Sequence, residues 1–129
     1  MPENILVSAG DRIISAWNTQ DVDKVLAEYT EDMVYIDPNT RGEINNKQAM
    51  RRYLTKLFAA WEMHWAIRTI YALKDENGTA VRWHASFKKS GEKQQVEVEG
   101  MDLIILEGDR IKRDEVYFDR AALAPLLTS

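Results

Sequence analysis

The chain has 129 residues, 45% hydrophobic and 29% charged, with a net charge of −4 and no cysteine. This length and balance describe one soluble domain, residues 1–129, that buries roughly two thirds of its unfolded surface. An acidic balance with no basic run argues against nucleic acid or an anionic membrane as partner, and the lack of cysteine excludes disulfides, thiol nucleophiles and thiolate metal sites.

The N-terminal Met-Pro-Glu-Asn-Ile-Leu lacks the basic and apolar segments of a signal peptide. Nowhere do about 18 apolar residues run together, so a cytoplasmic location is the expectation. Glu3 to Trp17 reads as an amphipathic helix with Ile5, Leu6, Ile13, Ala16 and Trp17 on one stripe. Asn18-Thr19-Gln20 breaks it, and Asp21 is a good N-cap for a short second helix through Tyr29. Met33 to Ile36 is a β-prone run that stops at Asp37-Pro38, because proline cannot continue a ladder. Asn39 to Asn46 is polar and reads as a loop.

A third helix starts near Asn45 or Asn46, with Gln48 completing a capping box if Asn45 is the cap. Met50, Tyr53, Leu54, Leu57, Phe58 and Trp61 form its apolar stripe, opposite Lys47, Arg51, Arg52 and Lys56. Strands follow. Met63, Trp65, Ile67, Tyr71 and Leu73 alternate with more polar residues, and Glu76-Asn77-Gly78 signals a hairpin. Val81, Trp83, Ala85 and Phe87 then alternate with Arg82, His84 and Ser86. After a turn over Lys88–Lys93, Gln94 leads into a strand whose run Met101–Leu106 is apolar except at Asp102. Arg110 to Asp119 returns as the last strand, and Arg120–Leu127 makes a short helix or tail weakened by Pro125. The order predicts an α+β fold with three helices on one face of a curved antiparallel sheet.

Register decides which acids of the last hairpin face inward, since a slip of one residue reverses the faces. A two-residue loop opened by Gly108 pairs Glu107 with Arg110 and sets Glu115 opposite Asp102. A three-residue loop sets Asp114 opposite Asp102 and turns Val116 and Phe118 inward. The second buries the more apolar pair and is the one expected; a bulge near Arg113 would mix the two patterns. Met101, Leu103, Ile105 and Tyr117 then face outward, and a partner subunit is the simplest cover, giving a homodimer.

Two acids stand out chemically. Asp37 ends an apolar strand and is fixed by Pro38, so desolvation would raise its pKa toward the range of a general base; the plainer reading is an Asp-Pro turn capping a loop amide. Asp102 has apolar neighbours on both sides, and is either a neutral proton donor or a structural acid bonded to a buried group. Asp114 is a third candidate that depends on register. His64 and His84 fall on polar strand faces without companion ligands, so no metal site is expected. No Gly-rich phosphate loop or nucleophilic serine motif appears, and no cofactor is expected.

Ala16-Trp-Asn-Thr-Gln-Asp-Val-Asp23, Tyr29-Thr-Glu-Asp-Met-Val-Tyr-Ile-Asp-Pro38 and Gly100–Asp119 together resemble the nuclear transport factor 2-like superfamily, in its SnoaL-like polyketide cyclase and ketosteroid isomerase branches. The resemblance implies a cone of curved, mostly antiparallel sheet wrapped on three helices (a cystatin-like α+β barrel), an apolar pocket, and dimerisation through the sheet. It places Asp37 where ketosteroid isomerases carry their base and Asp102 where they carry a protonated, oxyanion-binding acid. Their helical tyrosine would fall at Ile13, which can donate nothing, although the Trp17 indole lies one turn beyond it. The Asp-Arg-Asp set of limonene epoxide hydrolases is interrupted by Gly100 and Val116, which argues against epoxide hydrolysis. The implied pocket is lined by Ile13, Trp17, Tyr53, Leu57, Trp65, Trp83, Phe87, Asp114, Val116 and Phe118. Two functions follow as expectations. One is cofactor-independent proton transfer (isomerisation or aldol-type cyclisation) on an apolar carbonyl compound, with Asp37 as base and Asp102 as donor. The other is a non-catalytic ligand-binding or dimerisation module.

Overall fold

A computed structural model describes residues 3–127. Helix α1 (Glu3–Asn18) is followed by α2 (Val22–Leu26), strand β1 (Tyr29–Ile36), helix α3 (Lys47–Ala60) and strands β2 (Trp61–Ala72), β3 (Gly78–Lys89), β4 (Gln95–Glu107) and β5 (Arg110–Phe118). A 3-10 turn (Arg120–Leu123) and α4 (Ala124–Leu127) end the described chain. The strands form one sheet in the order β1-β5-β4-β3-β2, antiparallel except for the parallel pair β1–β5. It is a mixed, curved sheet of the nuclear transport factor 2-like type, left open rather than closed into a barrel. The core lies between the helices and one face of the sheet, where Ile13, Met33, Met50, Leu54, Val81, Trp83, Ile104 and Ile111 are buried. Among the described residues no helix is long and apolar enough to cross a membrane.

Several element ends differ from the sequence reading for local reasons. Asp21 caps α2 by accepting from the Lys24 amide, but α2 stops at Leu26, and Tyr29 opens β1 instead of closing a helix. Asn46, not Asn45, caps α3, and its side chain accepts from the Ala49 amide. Trp61, read as part of the helical stripe, has an extended backbone and starts β2. In β2 the pairing shifts between Ile67 and Thr69, so Arg68 is bulged out and the alternation reverses beyond it. Ile70 therefore turns toward the core and Tyr71 is exposed.

The break after α1 has a structural use. Asn18 exchanges two hydrogen bonds with the backbone of Trp65 (2.9 and 2.8 Å), and Gln20, at φ +51°, bonds Trp61 O and Met63 N (2.8 and 2.7 Å). Edge strand β2 thus has its outer backbone groups met by side-chain amides of its own chain. This fixes Met63 and Trp65 over the end of α1.

The last hairpin has the loop of the first register considered and the inward-facing residues of the second, through a bulge like the one weighed near Arg113. Its loop has two residues, with Glu107 paired to Arg110 and Gly108 at φ +65°, the conformation a tight hairpin asks of glycine. The register then shifts between Leu106↔Ile111 and Ile105↔Arg113, a bulge at Lys112. The expected three-residue loop is therefore incorrect, and Asp102 lies opposite Val116, not Asp114. Asp114 lies opposite Ile104, and the bulge brings Asp114, Val116 and Phe118 to the inner face nonetheless. On the outer face Met101, Leu103 and Ile105 are half-buried and Tyr117 is exposed. Charged groups border that stripe: Arg113 pairs with Glu43 and Glu115 on β5's side, and His84 pairs with Glu97 and Glu99 toward β3.

Candidate functional site

Two adjoining cavities open between α1, α3 and the inner sheet face. The first, about 20 Å³, is lined by Ile14, Trp17, Tyr35, Trp65, Asp102 and Val116. The second, about 30 Å³, shares Trp17, Tyr35, Trp65 and Val116 and adds Asp37, Asn39, Tyr53, Leu57, Met63, Trp83, Phe87 and Phe118. Each has room for only one or two waters, so a larger occupant must displace half-buried side chains such as Tyr53, Leu57 and Phe118. Among the described residues no lysine, arginine or histidine lines either cavity.

Most residues expected around the pocket are brought together. Trp17, Tyr53, Leu57, Trp65, Trp83, Phe87, Val116 and Phe118 all line it, and Trp17 stacks on Tyr35 while meeting Phe58 and Trp65 edge-on. Ile13 is a correction: it is wholly buried in the core and lines neither cavity, and Ile14, rotated about 100° around the helix, takes the place. Asp114 lines neither cavity and is wholly buried. Tyr29, Tyr35, Asn39 and Met63 were not anticipated. Tyr35 had a signal, because two residues before Asp37 on one strand is the same face.

Asp37 is held by four donors. Tyr35 donates to Oδ2 at 2.6 Å and Tyr53 to the same oxygen, while the amides of Asn39 and Thr40 donate to Oδ1 at 2.6 and 3.0 Å. The loop-capping reading and the pocket reading are both realised: one oxygen caps the turn after Pro38, and the other meets two phenols that line the cavity. Burial, then the neighbouring Asp37 carboxylate, push both phenols up from their usual range, so each stays a donor.

Asp102 and Asp114 form a buried pair reached from β4 and β5. The Trp83 indole donates to Asp102 Oδ1 at 2.8 Å, and the Tyr29 hydroxyl donates to Asp114 Oδ2 at 2.7 Å. Behind Tyr29, the Trp17 indole donates to the phenol oxygen at 3.3 Å. Gly100 makes the first contact feasible, because a Cβ there would stand 2.4 Å from the Trp83 ring and 2.6 Å from Tyr117 O. The two carboxyls lie two register positions apart on adjacent strands of the inner face, and burial raises both above the ordinary carboxyl range. They differ in what opposes burial. Asp114 and the Trp83 indole favour the Asp102 carboxylate, whereas the Asp102 charge pushes Asp114 further up. Asp114 is thus the acid most firmly held neutral, a place expected for Asp102. Among the described residues no group of three histidine, cysteine or acidic side chains is arranged to hold a metal.

Residues 11–114 match the SnoaL-like domain family. The chain belongs to that family. No curated protein matches it. A putative isomerase from Bacillus subtilis superposes with a TM-score of 0.85 at 14% identity, covering 98% of this chain and 96% of its own. A putative polyketide cyclase from a Silicibacter species gives 0.84 at 15% identity, covering 96% of each chain. An LEH-like epoxide hydrolase from M. tuberculosis gives 0.75 at 18% identity, covering 99% of this chain and all of its own (100%). At such identities the likeness is one of fold alone.

Proposed function

We propose that the cavity of this SnoaL-like domain takes an apolar, carbonyl-bearing small molecule and moves a proton on the carbon next to the carbonyl, without a cofactor. Asp37 acts as the base, and Asp102 hydrogen-bonds the carbonyl oxygen as charge develops there. The observation that carries this reading is the presence of two acids of unlike surroundings on two adjoining aromatic-walled cavities, with no cationic side chain among the described lining residues. Asp37 is surrounded by donors, and Asp102 shares a buried site with a second acid. Two carboxyls in unlike environments can divide acid and base roles between them. The test is exchange of α-hydrogens for deuterium in a panel of simple apolar ketones. Wild type should accelerate exchange, and Asp37→Asn should slow it on the order of a hundred-fold or more; wild type at the buffer rate sinks the proposal.

A second reading, a ligand-binding or dimerisation module without catalysis, is favoured by the nearly filled interior and by the outer stripe Met101, Leu103 and Ile105. The proposed dimer joins two copies through that stripe, whose charged borders of both signs can face each other across a two-fold axis.

A further inference from the structure

Asp114 is the one buried acid among the described residues that the proposed chemistry leaves unused. Its surroundings are fully specified. Oδ2 accepts from Tyr29, itself backed by the Trp17 indole. Oδ1 is buried and accepts no hydrogen bond, and the carboxyl of Asp102 stands on the same inner face two register positions away on β4. From β3 the Trp83 indole reaches Asp102, and the remaining charge felt by the pair is Asp37, at the end of β1. No cation lines the cavity to offset two charges. A buried carboxylate oxygen without a donor is costly, and two adjacent buried carboxylates are more so. A single proton on Oδ1 of Asp114 removes both costs, since that oxygen then donates to Asp102.

We infer that Asp114 is a positioning residue that shares one proton with Asp102, so that Asp102 meets the cavity as acid or as carboxylate according to which partner holds the proton. At rest the proton is on Asp114 and the charge on Asp102, which Trp83 stabilises. Negative charge appearing in the cavity beside Asp102 favours the opposite arrangement. The O–H bond of Asp114 breaks, an O–H bond forms on Asp102, and the charge passes to Asp114, where the Tyr29 hydroxyl is already directed at it. The exchange is internal and needs no other reactant. Its use in catalysis rests on the proposed proton transfer, but the sharing itself is measurable without any ligand.

The experiment is a pH titration of the whole chain followed by carboxyl-carbon NMR of its aspartates, in wild type, Asp114→Asn and Asp102→Asn. In wild type both carboxyl carbons should respond in two common steps, as a coupled pair does. Asp102→Asn should lower the Asp114 midpoint by roughly one pH unit or more, because the adjacent charge is gone. Asp114→Asn should leave Asp102 with a single step, no higher than the wild type's first, because the amide still donates while the second ionisation is absent. Independent one-step titrations, each unmoved by substitution of the other acid, overturn the inference. Should Asp114→Asn not fold, Tyr29→Phe serves instead: it removes the donor from Oδ2 and must raise the upper step, and an unmoved upper step overturns the inference equally. Because no ligand is present, failure here is separate from failure of the deuterium-exchange test.

Discussion

Asp37 and Asp102 line adjoining cavities, Asp114 lies buried beyond Asp102, and the two sites solve burial in opposite ways. Asp37 is 8% exposed and keeps its acceptor oxygens satisfied with two phenols and two backbone amides supplied by its own turn. Asp102 and Asp114 have one donor each from the surrounding protein and satisfy the rest with each other and a proton. A carboxyl surrounded by donors and a carboxyl beside another carboxyl are two ways of burying an acid without a cation at its side.

The largest effect that would break this comparison is catalytic. Asp37→Asn keeps the shape and the turn but not the base, and should slow α-hydrogen exchange on the order of a hundred- to ten-thousand-fold while leaving the fold intact, at a cost in stability because the amide cannot accept from both phenols. Exchange that survives the substitution would remove Asp37 from the chemistry.

The pair should reveal itself through the pH dependence of stability. Burial raises Asp114 above its unfolded value, so the folded protein binds that proton more tightly than the unfolded chain does. The stabilisation is complete below the unfolded value of about 3.9 and is lost as pH rises through the folded value. Asp114→Asn cannot ionise and should escape the loss, so denaturant melts should show its stability relative to wild type growing from about pH 4 upward. A relative stability that is flat, or that falls with pH, means Asp114 is not held neutral.

Two smaller effects sharpen the contrast. Gly100→Ala places a methyl against the Trp83 ring and Tyr117 O, and should cost about 1–3 kcal/mol as the indole is displaced from Asp102. The hydrogen bonds at Asp37 should be left in place, and NMR of the indole N–H and of the Asn39 and Thr40 amides separates the two sites. Tyr53→Phe removes one of the four donors at Asp37 and should cost about 1–2 kcal/mol, discounted because Tyr53 is only partly buried. Most of that cost should vanish in an Asp37→Asn background, whereas an undiminished cost there would mean that the ring and not the hydroxyl matters. Outside the cavity, Met101→Lys with Leu103→Glu should turn a sedimenting dimer into monomers or insoluble chain; a wild type that already sediments as a monomer at micromolar concentration removes the proposed interface.

Periodicity and turn chemistry determined a good part of this molecule in advance. Alternation placed Val81, Trp83, Ala85 and Phe87 on the inner face, helical spacing placed Tyr53 and Leu57 toward the cavity, and Asp37-Pro38 marked a strand end. These are properties of consecutive residues, which a linear pattern records. Contacts between distant segments decided the rest. Two bulges, at Arg68 and Lys112, reversed alternations that looked continuous, because an extra residue in one strand is visible only against its partner. Tyr29 passed as a helix end, since its strand pairs in parallel with β5, some 80 residues further along, and nothing local announces that partner. Asp102 was legible as a buried acid but not as half of a pair. Its state depends on Asp114, and only the folded sheet brings the two carboxyls within reach of one proton.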